Sequence, residues 1–161
     1  MPILHLQFQA AAKGDAGQDV PVPPAVALHR AGPCLKASVM LLESMAQALL
    51  AEGKEVPEPV SGMVLIDTGA SGTCVDEGVA RQLRLPARGT GQMSSASEAS
   101  AERNLYPVTI DIVGFPLKFN VMRAMSAELA PQGLVALIGR DALSGCMLVY
   151  NGLSGEVTLA R

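Results

Sequence analysis

Two short, uninterrupted apolar runs constrain the fold of this chain more than any other feature. They are Met-Val-Leu-Ile at residues 63–66 and Leu-Val-Ala-Leu-Ile at residues 134–138. Apolar runs of this length, bounded by turn residues, are typical of buried strands. The first run ends at residues 67–69 (Asp-Thr-Gly) and the second at residues 139–141 (Gly-Arg-Asp). We therefore expect two buried strands, the first of which holds a carboxylate on rigid backbone at a sharp turn.

The remainder of the chain mostly alternates short strand-like segments with turn signals, which predicts an all-β fold. Besides the two apolar runs, the predicted strands cover residues 2–9, 25–29, 35–40, 105–113, 115–122, 147–150 and 156–160. Residues 10–24 are rich in Ala, Gly, Asp and Pro and are predicted to form a loop. Apolar residues recur with a helical period at 42–50, with Gly53 expected to end that helix, and residues 76–83 predict a second short helix.

Composition and charge exclude several classes of protein. The chain has 161 residues, of which 49% are hydrophobic and 17% charged, and this predicts one globular domain with its own core. The net charge of -3 argues against nucleic acid as a partner, because a nucleic-acid binder must neutralise many phosphates. The longest stretch without a charged residue, 142–155, is too short to span a membrane, which needs about 20 apolar residues. The N-terminal segment lacks a signal-like apolar run, so a cytoplasmic location without membrane association is expected.

Cysteine and histidine are too few and too scattered for most catalytic or metal sites. The three cysteines, Cys34, Cys74 and Cys146, form no Cys-x-x-Cys pair and are expected to be reduced and mostly buried. The two histidines, His5 and His29, have no partner at a metal-ligand spacing. We therefore expect no metal and no cofactor, and a catalytic Ser-His-Asp or Cys-His site is disfavoured.

Two segments carry the functional signal. Residues 65–71 read Leu-Ile-Asp-Thr-Gly-Ala-Ser, and residues 136–143, about 70 residues downstream, read Ala-Leu-Ile-Gly-Arg-Asp-Ala-Leu. Either segment alone could be an ordinary strand-to-turn junction, where Asp and Gly are common. Together and in this order they resemble the retroviral-type aspartic proteases, the retropepsins, over roughly residues 61–161. The resemblance implies a single retropepsin-like domain over residues 1–161, which is a closed barrel of short strands with a few short helices.

The resemblance also implies the roles of particular residues. Family members have one catalytic aspartate per subunit, here Asp67, and a homodimer brings two of them together to activate a water molecule against a peptide bond. Thr68 would interlock with its counterpart in the second subunit, and Gly69 would present its backbone to the substrate. Ala70 and Ser71 would line the cleft. The implied function is an aspartic endopeptidase that acts on a peptide or protein substrate without a metal.

The expected assembly follows from the number of motifs. The sequence has one Asp-Thr-Gly, whereas a two-lobed pepsin would carry two such motifs in a longer chain. An obligate homodimer with a two-fold interface is therefore expected. In the retropepsins the terminal strands of both subunits interleave, and here the strands predicted at residues 2–8 and 156–160 lie in the matching places. The alternative is that these strands pair with each other inside one monomer.

A substrate-covering flap is expected at residues 89–102, because the family's flaps are hairpins. The residues expected near its tip, where they would contact substrate, are Ser94, Ser95, Ala96 and Ser97. The family's flaps often have Gly at the tip, but here Glu98 occupies such a position. The alternative for this small, polar segment is a solvated surface loop.

The second segment is expected to support the site structurally through Gly139, Arg140 and Asp141. In the family the arginine pairs with a carboxylate just beyond the Asp-Thr-Gly, but uncharged residues occupy those positions here. Arg140 could pair instead with Asp76, with Glu77 or with a group of the partner chain. The sequence leaves that choice open.

The scaffold departs from the viral pattern in one place. The implied core covers about residues 25–161, and the predicted helix within residues 41–53 would be an insertion where the retroviral enzymes have only a short turn. Its apolar face is expected to pack on the body of the domain.

Two other functions compete with the protease. Residues 67–73 formally match the Asp-x-Gly-x-x-x-Thr motif of the actin and sugar-kinase families, but those chains are much longer and carry a second phosphate loop. The other candidate is a catalytically inactive retropepsin-like module that binds peptides or dimerises without turnover, because a fold does not guarantee an activity.

Overall fold

The computed structural model of the chain describes residues 2–13, 17–93 and 101–161. Its strands are β1 (Ile3–Gln7), β2 (Ala10–Lys13), β3 (Asp19–Val22), β4 (Cys34–Met40), β5 (Val60–Ile66), β6 (Cys74–Asp76), β7 (Thr90–Met93), β8 (Ala101–Ile112), β9 (Lys118–Ala127), β10 (Leu134–Ile138), β11 (Met147–Asn151) and β12 (Glu156–Ala160). The helices are α1 (Pro24–Ala31), α2 (Glu43–Ala51), α3 (Glu77–Gln82) and α4 (Arg140–Leu143), and a 3-10 turn covers Ala130–Gln132. None of the helices in these described ranges is both long enough and apolar enough to cross a membrane.

Six strands close into a barrel around the main hydrophobic core. Their neighbours run in the order β4-β5-β10-β6-β9-β8, and β8 pairs back onto β4 through Ala37 and Ile112 among others. Successive residues of a strand face opposite sides, so one residue in two points inward. Val64 and Ala136 are fully buried in this way, and Phe119 is the largest fully buried side chain among the described residues. The predicted all-β fold, a closed barrel of short strands with a few short helices, is confirmed.

The two apolar runs of the sequence become neighbouring parallel strands, β5 and β10. Leu65 lies opposite Leu137, and Ile66 lies opposite Ile138. Because the strands are parallel, their carboxyl ends meet at the same end of the barrel. The backbone N–H of Asp67 continues the pairing by donating to the carbonyl of Ile138 at 2.9 Å. The turns that follow the two strands are thereby placed side by side.

The two chain ends form a separate antiparallel sheet with the order β1-β12-β11. Leu4 of β1 and Leu148 of β11 both lie opposite Leu159 of the central strand. Leu4 and Leu159 are fully buried and belong to the same cluster as the barrel interior, so one face of this sheet packs on the barrel. The predicted terminal strands are therefore confirmed, and β1 pairs with β12 of its own chain. This is the arrangement that the sequence left as the alternative to interleaved termini.

The helix predicted at residues 42–50 is confirmed. Helix α2 runs from Glu43 to Ala51, and Gly53 follows its end with a φ of +68°, a left-handed conformation that glycine adopts easily. Met45 and Leu49 pack against the core from the half-buried face of the helix, as its apolar period predicts. Leu50 on the other side is 64% exposed.

The prediction of a strand at residues 25–29 is wrong, because this segment is helix α1. Pro24 occupies the first turn, where its fixed φ suits a helix and its missing N–H is not needed. The N–H groups of Val26 and Ala27 both donate to the carbonyl of Pro23 at 2.9 Å. A run of four apolar residues cannot distinguish a buried strand from a helix by period alone.

The loop predicted at residues 10–24 is also corrected. Residues of β2 and β3 pair as an exposed antiparallel hairpin, with Ala10 opposite Val22 and Lys13 opposite Asp19. The Nζ of Lys13 lies 2.6 Å from the carboxylate of Asp19. Backbone pairing holds this hairpin together, and the composition of the segment carries no strand period that could have indicated it.

Candidate active site

The carboxylate of Asp67 is oriented by its own turn. Its Oδ1 accepts hydrogen bonds from the backbone N–H groups of Gly69 at 2.7 Å and of Ala70 at 3.3 Å. A Cβ at position 69 would lie 3.0 Å from that oxygen, so glycine permits the close approach of the backbone. Within the described ranges no group donates to the other carboxylate oxygen, Oδ2. Asp67 is half-buried, with one oxygen fixed and the other available for chemistry.

Arg140 clamps this turn from the opposite segment. Its Nη1 donates to the carbonyl of Thr68 at 2.6 Å and to the carbonyl of Gly69 at 2.9 Å. Its own backbone N–H donates to the carbonyl of Ala70 at 3.0 Å. The acceptor that the sequence left open is therefore the backbone of the Asp-Thr-Gly motif itself. A charge-assisted hydrogen bond to a carbonyl fixes a loop without needing a second charged residue.

Thr73 connects the two segments beneath the turn, and sequence reasoning missed it. Its hydroxyl donates to Oδ1 of Asp141 at 2.7 Å and accepts from the backbone N–H of Gly139 at 3.1 Å. Thr73 is fully buried. The only signal for it in the sequence is a hydroxyl residue directly before the short strand β6, where buried polar groups need partners.

Asp76 carries a second ordered carboxylate, but its surroundings are structural. Oδ1 accepts from the backbone N–H groups of Gly78 and Val79, and Oδ2 accepts from those of Leu129 and Ala130. Burial alone would raise the pKa of Asp76, but these four hydrogen bonds to the ionised form outweigh it and lower the pKa from its ordinary value. Asp76 thus caps α3 and ties it to the segment before β10.

Cys74 lies close to the site without being suited to nucleophilic chemistry. It is buried, as expected, and burial raises the pKa of its thiol to about 11, with a further contribution from the carboxylates of Asp141 and Asp67. Because the thiolate is the nucleophile, a thiol with such a pKa stays inert near neutral pH.

Asp67 borders a cleft of about 370 Å³. Its walls come from Pro33, from the end of β5 and from Leu148 and Tyr150 of β11. Nothing local in the sequence connects residues 148 and 150 with the Asp-Thr-Gly, because they reach the cleft only through the pairing of the terminal sheet.

A second apolar cluster lies on the face of β5 and β10 that points away from the barrel core. Its buried members are Cys74, Ala127, Leu129 and Leu134, and its half-buried members are Cys34, Met63, Leu65, Met93, Met125 and Leu137. Leu65 precedes Asp67 by two residues, and residues two apart in a strand point to the same face of the sheet. The cluster gives Asp67 an apolar neighbourhood that is only partly covered.

The flanks of the predicted flap are paired strands. Thr90 lies opposite Asn104, and Met93 lies opposite Ala101, so β7 and β8 pair as antiparallel strands on either side of residues 94–100. The residues expected at the tip, Ser94, Ser95, Ala96 and Ser97, lie outside the described residues. Their contact with substrate stays a prediction.

Replacing Gly139 with Ala is expected to destabilise the fold by about 3 kcal/mol, because the added Cβ overpacks a rigid contact. That Cβ would lie 2.4 Å from the carbonyl carbon and oxygen of Gly72 and 2.8 Å from the N of Thr73, which are backbone atoms that cannot swing away. Urea unfolding of the variant measures the effect. Gly145→Ala is the matched control, since a Cβ there meets nothing within 4 Å. Equal stability of both variants would contradict the close packing of the two turns.

Comparison with known proteins gives a matching family and several similar solved structures, two of which are described below. The model of the family described as "gag-polyprotein putative aspartyl protease" matches residues 58–145, more than half of the chain and including both segments of the site. None of the curated proteins matches the chain. The family match confirms the resemblance seen in the sequence, and this family is one of proteases rather than of nucleotide-binding proteins.

The two structures are similar at 14% identity each. One is the foamy viral protease-reverse transcriptase in complex with an RNA/DNA hybrid, with a TM-score of 0.43 over 70% of this chain. This chain spans only 12% of the length of that one. The other is a retropepsin-like aspartic protease from Rickettsia conorii, with a TM-score of 0.42 over 98% of this chain and 92% of that chain.

Proposed function

We propose that this chain, which belongs to the gag-polyprotein aspartyl protease family, is an aspartic endopeptidase that hydrolyses bonds in peptide or protein substrates. The observation that carries the proposal is the carboxylate of Asp67, which its turn and Arg140 hold at the edge of a cleft with one oxygen left for chemistry. Catalysis by positioned carboxylates needs this combination of fixed geometry and access.

The reaction requires two carboxylates, and this chain has one Asp-Thr-Gly. In the proposal, Asp67 of each of two subunits forms a dyad in a homodimer. Two carboxylates about 3 Å apart cannot both ionise cheaply, so they share a proton. The ionised half accepts a proton from the attacking water while the protonated half donates to the carbonyl oxygen of the peptide. The titration belongs to the pair rather than to either residue.

The neighbours of Asp67 have supporting roles in this proposal. The carbonyl of Thr68 is engaged by Arg140 while the residue itself is exposed, which is compatible with contact to the same residue of a second subunit. Gly69 is also exposed and presents backbone toward the substrate. In this proposal Ala70 and Ser71 extend the substrate-binding surface beyond the residues that line the cleft. The apolar cluster around Leu65 favours substrates with apolar side chains next to the cleaved bond.

The proposal is tested by digesting a peptide library with the purified protein over a range of pH, with and without pepstatin. We expect cleavage between apolar residues, inhibition by pepstatin and no inhibition by thiol-alkylating reagents. Cleavage that pepstatin leaves unchanged would contradict an aspartic mechanism. A folded protein that binds pepstatin but cleaves nothing at any pH would favour the alternative, an inactive retropepsin-like peptide-binding or dimerisation module.

A further inference from the structure

Among the described residues, no further strand pairs with either edge of the sheet β1-β12-β11, and the two edges lie in different places. Since β1 pairs with β12 of its own chain, the outer strands of the sheet are β1 and β11. The cleft at Asp67 is bordered by Leu148 and Tyr150 of β11, whereas β1 contributes nothing to its walls. A second subunit that must bring its own carboxylate to this cleft therefore meets β11 first.

The hydrogen bonds of the sheet show which backbone groups of β11 are unused. Phe8 N–H donates to the carbonyl of Gly155, and Arg161 N–H donates to that of Pro2, so odd-numbered residues of β12 face β1. In an antiparallel sheet alternate residues face alternate neighbours, so the even-numbered residues of β12 face β11.

This alternation fixes the outer edge of β11. Thr158 lies opposite Val149, so Val149 uses its backbone N–H and C=O within the sheet. The neighbouring Leu148 and Tyr150 must then direct their N–H and C=O groups outward, away from β12. The free edge offers a second strand two donors and two acceptors beside the cleft.

The edge also lacks the devices that keep such strands from pairing. Charged residues, prolines and bulges usually protect a free edge, and residues 142–155 contain no Asp, Glu, Lys, Arg or Pro. Large apolar side chains of β11 are exposed, with Met147 at 57% and Val149 at 48%, and Leu153 in the following turn is 97% exposed. An unprotected apolar edge is typical of a strand that is covered in the functional assembly.

We propose that two copies of this chain associate by antiparallel pairing of β11 with β11 across a two-fold axis that runs beside the two Asp67 residues. Each copy contributes the three strands β1, β12 and β11 to one continuous sheet. The occupant of the edge is a second copy because the cleft beside it is incomplete with one carboxylate, and to that extent the inference rests on the proposed function. This arrangement differs from interleaved termini, because β1 pairs with β12 of its own chain and forms the outer strand of the shared sheet.

Amide hydrogen exchange of the unmodified protein tests the pairing directly. In the dimer, the N–H groups of Leu148 and Tyr150 are expected to exchange at least about 100-fold more slowly than those of Ile3 and His5, the outward-facing positions of β1. Protection of Ile3 and His5 without protection of Leu148 and Tyr150 would overturn the inference and favour pairing through the N-terminal strand.

A matched pair of lysine substitutions gives a second test. Val149 and Ile3 lie on the same outer face of the sheet, one on each edge strand, and both are about half exposed. Val149→Lys is expected to raise the dimer dissociation constant roughly 100-fold, because it removes apolar contact and places two like charges at one seam. Ile3→Lys should leave it within about 3-fold. Sedimentation equilibrium measures both, and circular dichroism checks that both variants fold.

The outcomes separate this inference from the proposed function. If a dimer with protected Leu148 and Tyr150 cleaves no peptide, the β11–β11 pairing is supported and the protease function is contradicted. If a dimer cleaves peptides but is dissociated by Ile3→Lys rather than by Val149→Lys, the protease function is supported and the β11–β11 pairing is contradicted. A chain that stays monomeric at all concentrations contradicts the β11–β11 pairing, whatever its activity.

Discussion

Asp67→Asn is expected to abolish peptide hydrolysis, lowering kcat/KM by more than roughly 10⁴-fold, because in a homodimer the change removes both the general base and the general acid. Asn cannot accept a proton from water and cannot share one with its counterpart. A single substitution in the gene alters both halves of the dyad, so no intact half remains. Steady-state hydrolysis of a peptide identified in the library digest, blocked by pepstatin in the unmodified protein, measures the loss.

The same substitution is expected to leave the fold and the dimer intact. The amide oxygen of Asn can still accept from the N–H groups of Gly69 and Ala70, which now bond to Oδ1 of Asp67. Asp19→Asn is the matched control, since it makes the same change on an exposed strand where the carboxylate pairs with Lys13. Activity that survives Asp67→Asn would remove this residue from the mechanism.

Asp76→Asn is expected to have the opposite outcome, with a loss of about 3 kcal/mol in the free energy of unfolding, because buried N–H groups would lose their acceptor. Asp76 is 7% exposed, and its two oxygens together accept four backbone hydrogen bonds. The amide group of Asn would turn an NH₂ toward two of those donors. Urea unfolding at neutral pH, with Asp19→Asn again as the control, measures the difference, and equal midpoints would show that these bonds contribute little.

The lowered pKa of Asp76 also predicts a pH dependence of stability. A carboxyl whose pKa is lower in the folded state stabilises the fold fully above its unfolded value of about 3.9, and the contribution is lost as the pH falls through the folded value. The gap in stability between the unmodified protein and Asp76→Asn should therefore be constant from neutral pH to about pH 5 and shrink on further acidification. A gap that widened in acid would contradict the direction of the shift.

Much of the architecture could be predicted because its signals are local. Strands β5 and β10, helix α2 with Gly53 after it, and the hairpin of β11 and β12 all follow from the period and turn residues of their own segments. Helix α1 was mistaken for a strand because a short apolar run does not reveal its period. The signal that favours a helix there is Pro24, which suits the first helical turn. The β2–β3 hairpin was missed since its pairing is a backbone property of two unremarkable segments.

The candidate site divides in the same way. Asp67 could be singled out as the candidate residue because a carboxylate directly after a buried strand and before Thr-Gly is a local pattern. The hydrogen-bond acceptors of Arg140 could not be predicted, because whether it contacts carboxylates or carbonyls depends on where β10 places it. Thr73 and Asp141 meet across 68 positions of sequence for the same reason.

By itself the sequence determined the strands, the turn that carries Asp67 and the presence of a single such turn, since each depends on neighbours a few residues away. Only the tertiary structure decided that β1 pairs with β12 of its own chain and that β11 borders the cleft. Those contacts join residues that are 81 positions apart for Asp67 and Leu148 and 157 apart for Ile3 and Ala160. They form only once the closed barrel has brought both chain ends to the side where Asp67 lies.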